Sequence, residues 1–241
     1  MTNQKVALIT GGTRRLGLAT ARQLAEEGYA LSLSYHRNDE AAQRAVITLN
    51  KVAADVIVTR ADCTTQQGAK AVVEKTIEHF GRLDVLVNNI GPFVPGEFMK
   101  TTEEAYQLMV AGNLGSVFHM CQAVIPQMRR QKHGVIINLG SLNAEVARGA
   151  PNAALYHALK TSVIVLTKSI ARSEGPHGIR VNAVNPGVVD PLGTSKSMIN
   201  KIPLHRLAEP AEVAQAISWL VSQDASYVNG AVLNVNGGLF V

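Results

Sequence analysis

The sequence predicts an α/β fold: a doubly wound parallel sheet of about seven strands flanked by helices, in a single domain over residues 1–241. Three observations predict it. Short β-rich apolar runs alternate with longer helix-period segments from one end of the chain to the other. Several of the runs are apolar on successive residues, as in Val85-Leu86-Val87 and Val135-Ile136-Ile137, the pattern of strands covered by helices on both faces. No internal repeat, low-complexity tract or linker rich in Ser, Gly or Pro divides the 241 residues, a length that one core can fill.

Residues 6–10 form the first apolar run, and the glycine-rich turn that follows opens into a helix over 17–27. A second strand over 30–35 leads to a helix over 40–49, a third over 55–60 to a helix over 68–80, and a fourth over 85–88 to one long helix over 102–130. The fifth strand, 135–139, precedes a helix over 154–174, and the sixth, 180–185, precedes a helix over 210–222 before a last strand over 232–235. Right-handed strand–helix–strand crossovers make such an alternation doubly wound. Residues 186–210, with Pro186, Gly187, Pro191, Gly193 and Pro203, read as a flexible substrate loop.

Composition narrows the function. Hydrophobic residues are 46% and charged residues 17%, which fits a folded chain. The 23 basic residues exceed the 18 acidic ones, for a formal charge of +5. They are scattered, with pairs only at Arg14-Arg15 and Arg129-Arg130, so no nucleic-acid partner is expected. No apolar run reaches the roughly 20 residues of a membrane span, and residues 1–10 lack a signal core. With Cys63 and Cys121 the only cysteines, a reduced cytoplasmic protein is expected. The seven histidines show no ligand spacing, so no metal is expected.

The first strand runs into Thr10-Gly11-Gly12-Thr13-Arg14-Arg15-Leu16-Gly17. Glycines at a strand-to-helix turn let backbone approach a pyrophosphate, which the helix N-terminus favours. The second strand ends Ser34-Tyr35-His36-Arg37-Asn38. An NAD site places a carboxylate at that tip, about 20 residues beyond the turn. Here Asp39 and Glu40 come later, and Arg37, with His36 and Asn38, can instead donate to a 2′-phosphate. NADP(H) is therefore the expected cofactor.

The first turn resembles that of the short-chain dehydrogenase/reductase family, Thr-Gly-x-x-x-Gly-x-Gly, with Arg15 at the middle glycine as in pteridine reductases. That resemblance implies a Rossmann fold, an adenine contact at Asp62-Cys63, and cofactor contacts at Asn89 and Gly91 in Asn88-Asn89-Ile90-Gly91. Asn88 is expected to hold the sheet together. Asn185-Pro186-Gly187 resembles the family turn that lines the nicotinamide, with Val188 and Val189 offering backbone contacts.

Tyr156 and Lys160 stand four apart, on one face of a helix and about one turn from each other. A nearby ammonium favours phenolate, so the spacing predicts a Tyr156 pKa below its ordinary value of about 10 and a general acid–base role. Lys160 would hold both phenol and nicotinamide ribose. The family resemblance adds Ser141, which orients and polarises a carbonyl, and Asn113, which helps a water link the lysine to solvent. Ser141 lies fifteen residues before Tyr156 against about thirteen in the family, an excess that the loop 142–153 absorbs at little cost. Strict spacing would nominate Asn143 instead. Glu145, Arg148 and Asn152 in that loop are candidates for choosing the substrate.

From residue 99 onward the chain looks like bacterial 3-oxoacyl-thioester reductases, and its cofactor end looks like pteridine reductases. Those enzymes carry aspartate where Ser141 stands, so a ketone or 3-oxoacyl thioester leads over a dihydropterin. A non-catalytic NADP sensor is the rival from another class. The family further implies a homotetramer, with the 102–130 and 154–174 helices at one interface.

Overall fold

Alternating side chains along the first strand, β1 (Val6–Ile9), divide its residues between two cores. Val6 and Leu8 lie in one and Ala7 and Ile9 in the other, all fully buried. The same partition runs through β2 (Ala30–Tyr35), β3 (Val56–Arg60), β4 (Val85–Asn88), β5 (Gly134–Leu139) and β6 (Ile179–Pro186), while β7 (Val232–Val235) sends Leu233 and Val235 to the second core alone. The computed structural model describes residues 4–52, 55–189 and 196–239. Its strands form one all-parallel sheet in the order β3-β2-β1-β4-β5-β6-β7. The expected doubly wound sheet is therefore present, with its order reversing between β1 and β4.

One face is covered by α1 (Arg15–Glu26), α2 (Asp39–Leu49) and α8 (Pro210–Val221), through residues such as Leu24, Leu49 and Ile217. The other carries α3 (Gln66–Phe80), α5 (Ser116–Gln131) and α6 (Ala154–Glu174), through Val72, Met120 and Val163. Between β4 and α5 lies α4 (Glu103–Met109), and the short α7 (Lys196–Ile199) follows β6. Asn88 Nδ2 donates to Asn138 Oδ1 at 2.9 Å, and Asn138 Nδ2 donates to Thr167 Oγ1 at 2.9 Å, tying β4, β5 and α6 together in the buried interior. That is the structural role expected of Asn88.

Three expectations need correction. The helix over 102–130 is present but not α-helical throughout: a π-helical turn, Val110–Gly115, lies between α4 and α5. Gly112 packs so tightly on Pro92 that a Cβ would stand 2.4 Å from the ring, and Asn113 Nδ2 donates to Pro92 O (2.9 Å) and Met109 O (3.0 Å). Such wide turns recur at functional sites. Second, the helices expected at 40 and 68 begin earlier, because Asn38 Oδ1 accepts from Ala41 N and Thr65 Oγ1 accepts from Gly68 N as N-caps. Third, the loop over 186–210 is partly regular, since β6 extends to Pro186 and α7 occupies Lys196–Ile199. Residues 190–195, with Pro191 and Gly193, lie outside the described residues.

The segment Glu103–Gln131 also contains a window of mean hydropathy 1.4, apolar and long enough to cross a membrane. The sequence expectation missed it; here the segment packs in part on α3, α6, β4 and β5.

Candidate active site

The carboxyl ends of β1 to β6 bring the sequence-nominated residues toward one edge of the sheet, where ligands of doubly wound folds bind. At the catalytic end, α6 delivers Tyr156 and Lys160. Lys160 is 2% exposed, and its Nζ donates to Leu139 O at 2.7 Å, at the end of β5. The same nitrogen lies 5.9 Å from the centroid of the Tyr156 ring. Asn113, fully buried in the π turn, spends its amide nitrogen on two carbonyls and leaves Oδ1 without a partner among the described residues. A Cβ on Gly91 would fall 2.8 Å from Lys160 Nζ and 3.0 Å from Asn113 Oδ1, so both groups converge on the one residue there that leaves them room.

Ser141 is 7% exposed, just beyond β5, and its Oγ makes no hydrogen bond among the described residues. A buried hydroxyl without a partner costs free energy unless a ligand completes it. Asn143 lies on the same turn in a left-handed backbone conformation, with φ at +55°. Ala144 N donates to Ser141 O at 3.0 Å to close the turn.

Electrostatics differ from the sequence expectation. Burial pushes the Tyr156 phenol up to about 12, not down. The helical spacing is as expected, but the amine is turned to the Leu139 carbonyl, so desolvation dominates the phenol. Burial likewise pulls the Lys160 ammonium down to about 8.

At the cofactor end, two adjoining clefts of about 250 and 840 Å³ are lined by Gly11, Thr13, Arg14, Arg15, Leu16 and Gly17, by His36, Arg37 and Asn38, by Asp62 and Cys63, and by Asn89 and Gly91. Close approach is built in, since a Cβ on Gly17 would meet Gly11 O at 2.4 Å. Arg14 and Arg15 are exposed at the N-terminus of α1. Arg15 sits at φ +47°, a conformation glycine adopts without strain. The carboxylate nearest the β2 tip, Asp39, reaches Arg60 at 3.5 Å. Burial disfavours the charge on Asp62, yet hydrogen bonds from Thr64 and the neighbouring His36 and Arg37 outweigh it and hold its carboxyl below the usual range.

Several nominated side chains have other employment. Asn38 caps α2. Asn89 Nδ2 donates to Thr10 O (3.0 Å) and Gly11 O (3.3 Å), bracing the glycine turn. The Cys63 thiol donates to Ser34 Oγ at 3.3 Å, and burial pushes its pKa up. Pro186 pairs with Val235 in the sheet, and Val189 packs on a core. Gly187 and Val188 line a separate cavity of about 230 Å³ with Leu204 and Gly237. These four are not brought into the clefts that hold the other cofactor candidates.

A family model described as enoyl-(acyl carrier protein) reductase matches residues 11–240. The chain is 37% identical to the 3-oxoacyl-(acyl-carrier-protein) reductase FabG of Staphylococcus aureus, over 98% of both chains. The chain belongs to the short-chain dehydrogenase/reductase family. This short-chain dehydrogenase/reductase matches the solved structure of a Serratia marcescens member with a TM-score of 0.93 and 32% identity, covering 98% of each chain. It matches the Brucella melitensis 3-ketoacyl-(acyl-carrier-protein) reductase, solved as a complex with NADH, with a TM-score of 0.90 and 30% identity, again over 98% of each chain.

Two residues of this short-chain dehydrogenase/reductase lay beyond what its motifs signal. Glu145, nominated only as a substrate contact, turns inward and accepts from Asn185 Nδ2 and Asn234 Nδ2, each at 2.5 Å. It thereby fastens the turn after Ser141 to β6 and β7. Phe93 lies edge-on to Tyr156, with ring centroids 4.9 Å apart. No motif contains it.

Proposed function

We propose that this short-chain dehydrogenase/reductase is an NADPH-dependent reductase of a carbonyl substrate, a 3-oxoacyl thioester or similar ketone. The observation that carries the reading is the grouping at one sheet edge of a half-buried phenol, a buried amine and a buried hydroxyl that has no partner among the described residues, beside a cleft with a cationic lip. Arg37 and His36, in a β2 end whose sequence Ser34–Asn38 carries no carboxylate, support the 2′-phosphorylated dinucleotide. When bound, that cofactor supplies the hydride for the carbonyl carbon. Ser141 Oγ and the Tyr156 phenol donate hydrogen bonds to the carbonyl oxygen, and Tyr156 gives up its proton to that oxygen as charge develops. Lys160 offsets the phenolate that remains, and Asn113 Oδ1 offers an acceptor for a water that returns the proton.

A homotetramer joined through α5 and α6 is part of this proposal. It is supported by a shallow apolar groove lined by Val110, Leu114, Phe118, Val165 and Leu166, with Phe118 44% and Val165 61% exposed.

The test is NADPH oxidation measured in parallel with an acetoacetyl thioester and with dihydrobiopterin. Turnover of the thioester, abolished by Tyr156→Phe, supports the reading. Turnover of the pterin alone replaces the substrate class, and NADPH binding with no turnover of any carbonyl points to a sensor.

A further inference from the structure

The larger of the two clefts mixes charged and apolar lining. Arg14 and Arg15 line it, and so do the apolar side chains of Phe93 and Leu108. Phe93 is 53% exposed and Leu108 52%. The phosphates and sugars of a dinucleotide gain nothing from those two apolar side chains.

Phe93 is also held in place. The residue before it, Pro92, gives its carbonyl to Asn113 Nδ2 at 2.9 Å and seats its ring against Gly112, where a Cβ would be 2.4 Å away. Three residues further on, Gly96 N donates to Asn152 O at 2.9 Å, joining this loop to the one that precedes α6. Between these anchors the Phe93 ring meets the Tyr156 ring edge-on, at 4.9 Å and an interplanar angle of 64°. This is a favoured aromatic geometry. The ring is therefore a fixed wall next to the proton donor, with about half its surface left for something else to cover.

We infer that Phe93 is a specificity-determining residue, and that the substrate is a ketone carrying an apolar chain or ring that lies against the Phe93 face while its carbonyl oxygen reaches Tyr156 and Ser141. The inference rests on the reductase reading and narrows it to amphipathic ketones, in preference to small hydrophilic ketones or a polar pterin.

The experiment compares wild type with Phe93→Ala and Phe93→Leu, using an acetoacetyl thioester and a longer-chain 3-oxoacyl thioester of the same carrier. In Phe93→Ala, KM for the longer substrate should rise about five-fold or more beyond any change in KM for acetoacetyl thioester; Phe93→Leu should restore most of that difference. Equilibrium dialysis of a long-chain acyl thioester lacking the 3-oxo group, with oxidised NADP present, adds a readout that needs no turnover, and its affinity should weaken by the same factor. An equal loss for short and long substrates, or unchanged long-chain KM and affinity in Phe93→Ala, overturns the inference. Absence of turnover by wild type with every ketone, while the dialysis difference persists, removes the reductase reading and leaves the apolar wall standing.

Discussion

Lys160 holds its ammonium 5.9 Å from the centre of the Tyr156 ring while donating to the Leu139 carbonyl at 2.7 Å. The pair is thus joined through space and anchored to the end of β5. Both groups are most comfortable uncharged in this setting, with the phenol near 12 and the amine near 8.

The first prediction concerns pH. Tyr156 remains a proton donor across the neutral range, so reduction is limited from above by loss of the Lys160 charge. The kcat/KM for NADPH, which reports the free enzyme, should be level below about pH 8 and fall roughly tenfold per unit above it. A flat profile to pH 9.5 would refute this. Stability follows the opposite sign. Because the folded lysine has the lower pKa, the unfolded chain binds more protons between about 8 and 10.5, and stability rises with pH through that window. The ceiling is about 3 kcal/mol. Denaturant titrations at pH 7.5 and 10 should show the gain in wild type but not in Lys160→Met.

The second separates Ser141 from Asn143. Removing a hydroxyl that polarises the reacting carbonyl costs about 100-fold in kcat, so Ser141→Ala should lose that much with NADPH affinity kept. Asn143→Ala should stay within a few-fold. The reverse ranking in steady-state assays would move the role to Asn143.

The third addresses the cationic lip. Charge-assisted hydrogen bonds to a phosphate contribute about 1.5–3 kcal/mol. Arg37→Asp should therefore shift the NADPH-to-NADH ratio of kcat/KM toward NADH by about 10- to 100-fold. Arg15→Gly should weaken NADPH binding yet raise the melting temperature, because it relieves about 1 kcal/mol of backbone strain at φ +47°. Unaltered cofactor preference in Arg37→Asp would sink the 2′-phosphate assignment.

The fourth concerns Glu145. Its carboxylate satisfies the side-chain amides of Asn185 and Asn234, adjacent partners in the β6–β7 register. Glu145→Ala leaves both amides short of an acceptor and should cost about 1–3 kcal/mol in urea unfolding. It should also lower kcat by loosening the turn that carries Ser141. A variant as stable and as active as wild type would show that the turn holds itself.

Much of this was legible beforehand, for identifiable reasons. Strands such as β4 and β5 bury both faces, so their apolar runs are continuous and easily read. The catalytic spacing on α6 is a property of helical pitch alone. Burial is not: the i, i+4 spacing says that Lys160 can approach Tyr156 but not how little water reaches either, which is why the phenol moves up instead of down. Caps blurred the helix starts at Asn38 and Thr65. Nothing in the sequence pattern around Gly112 and Asn113 separates a π turn from the α-helix on either side. Phe93 and Glu145 acquire their roles only through contacts between distant loops.

The π turn at Val110–Gly115 has a geometric consequence. Each residue advances a helix by about 100°, so deleting one residue from this turn would rotate α4 by about that angle relative to α5. The wide turn is thus what sets the angle between α4 and α5 at which Asn113 and Lys160 meet over Gly91.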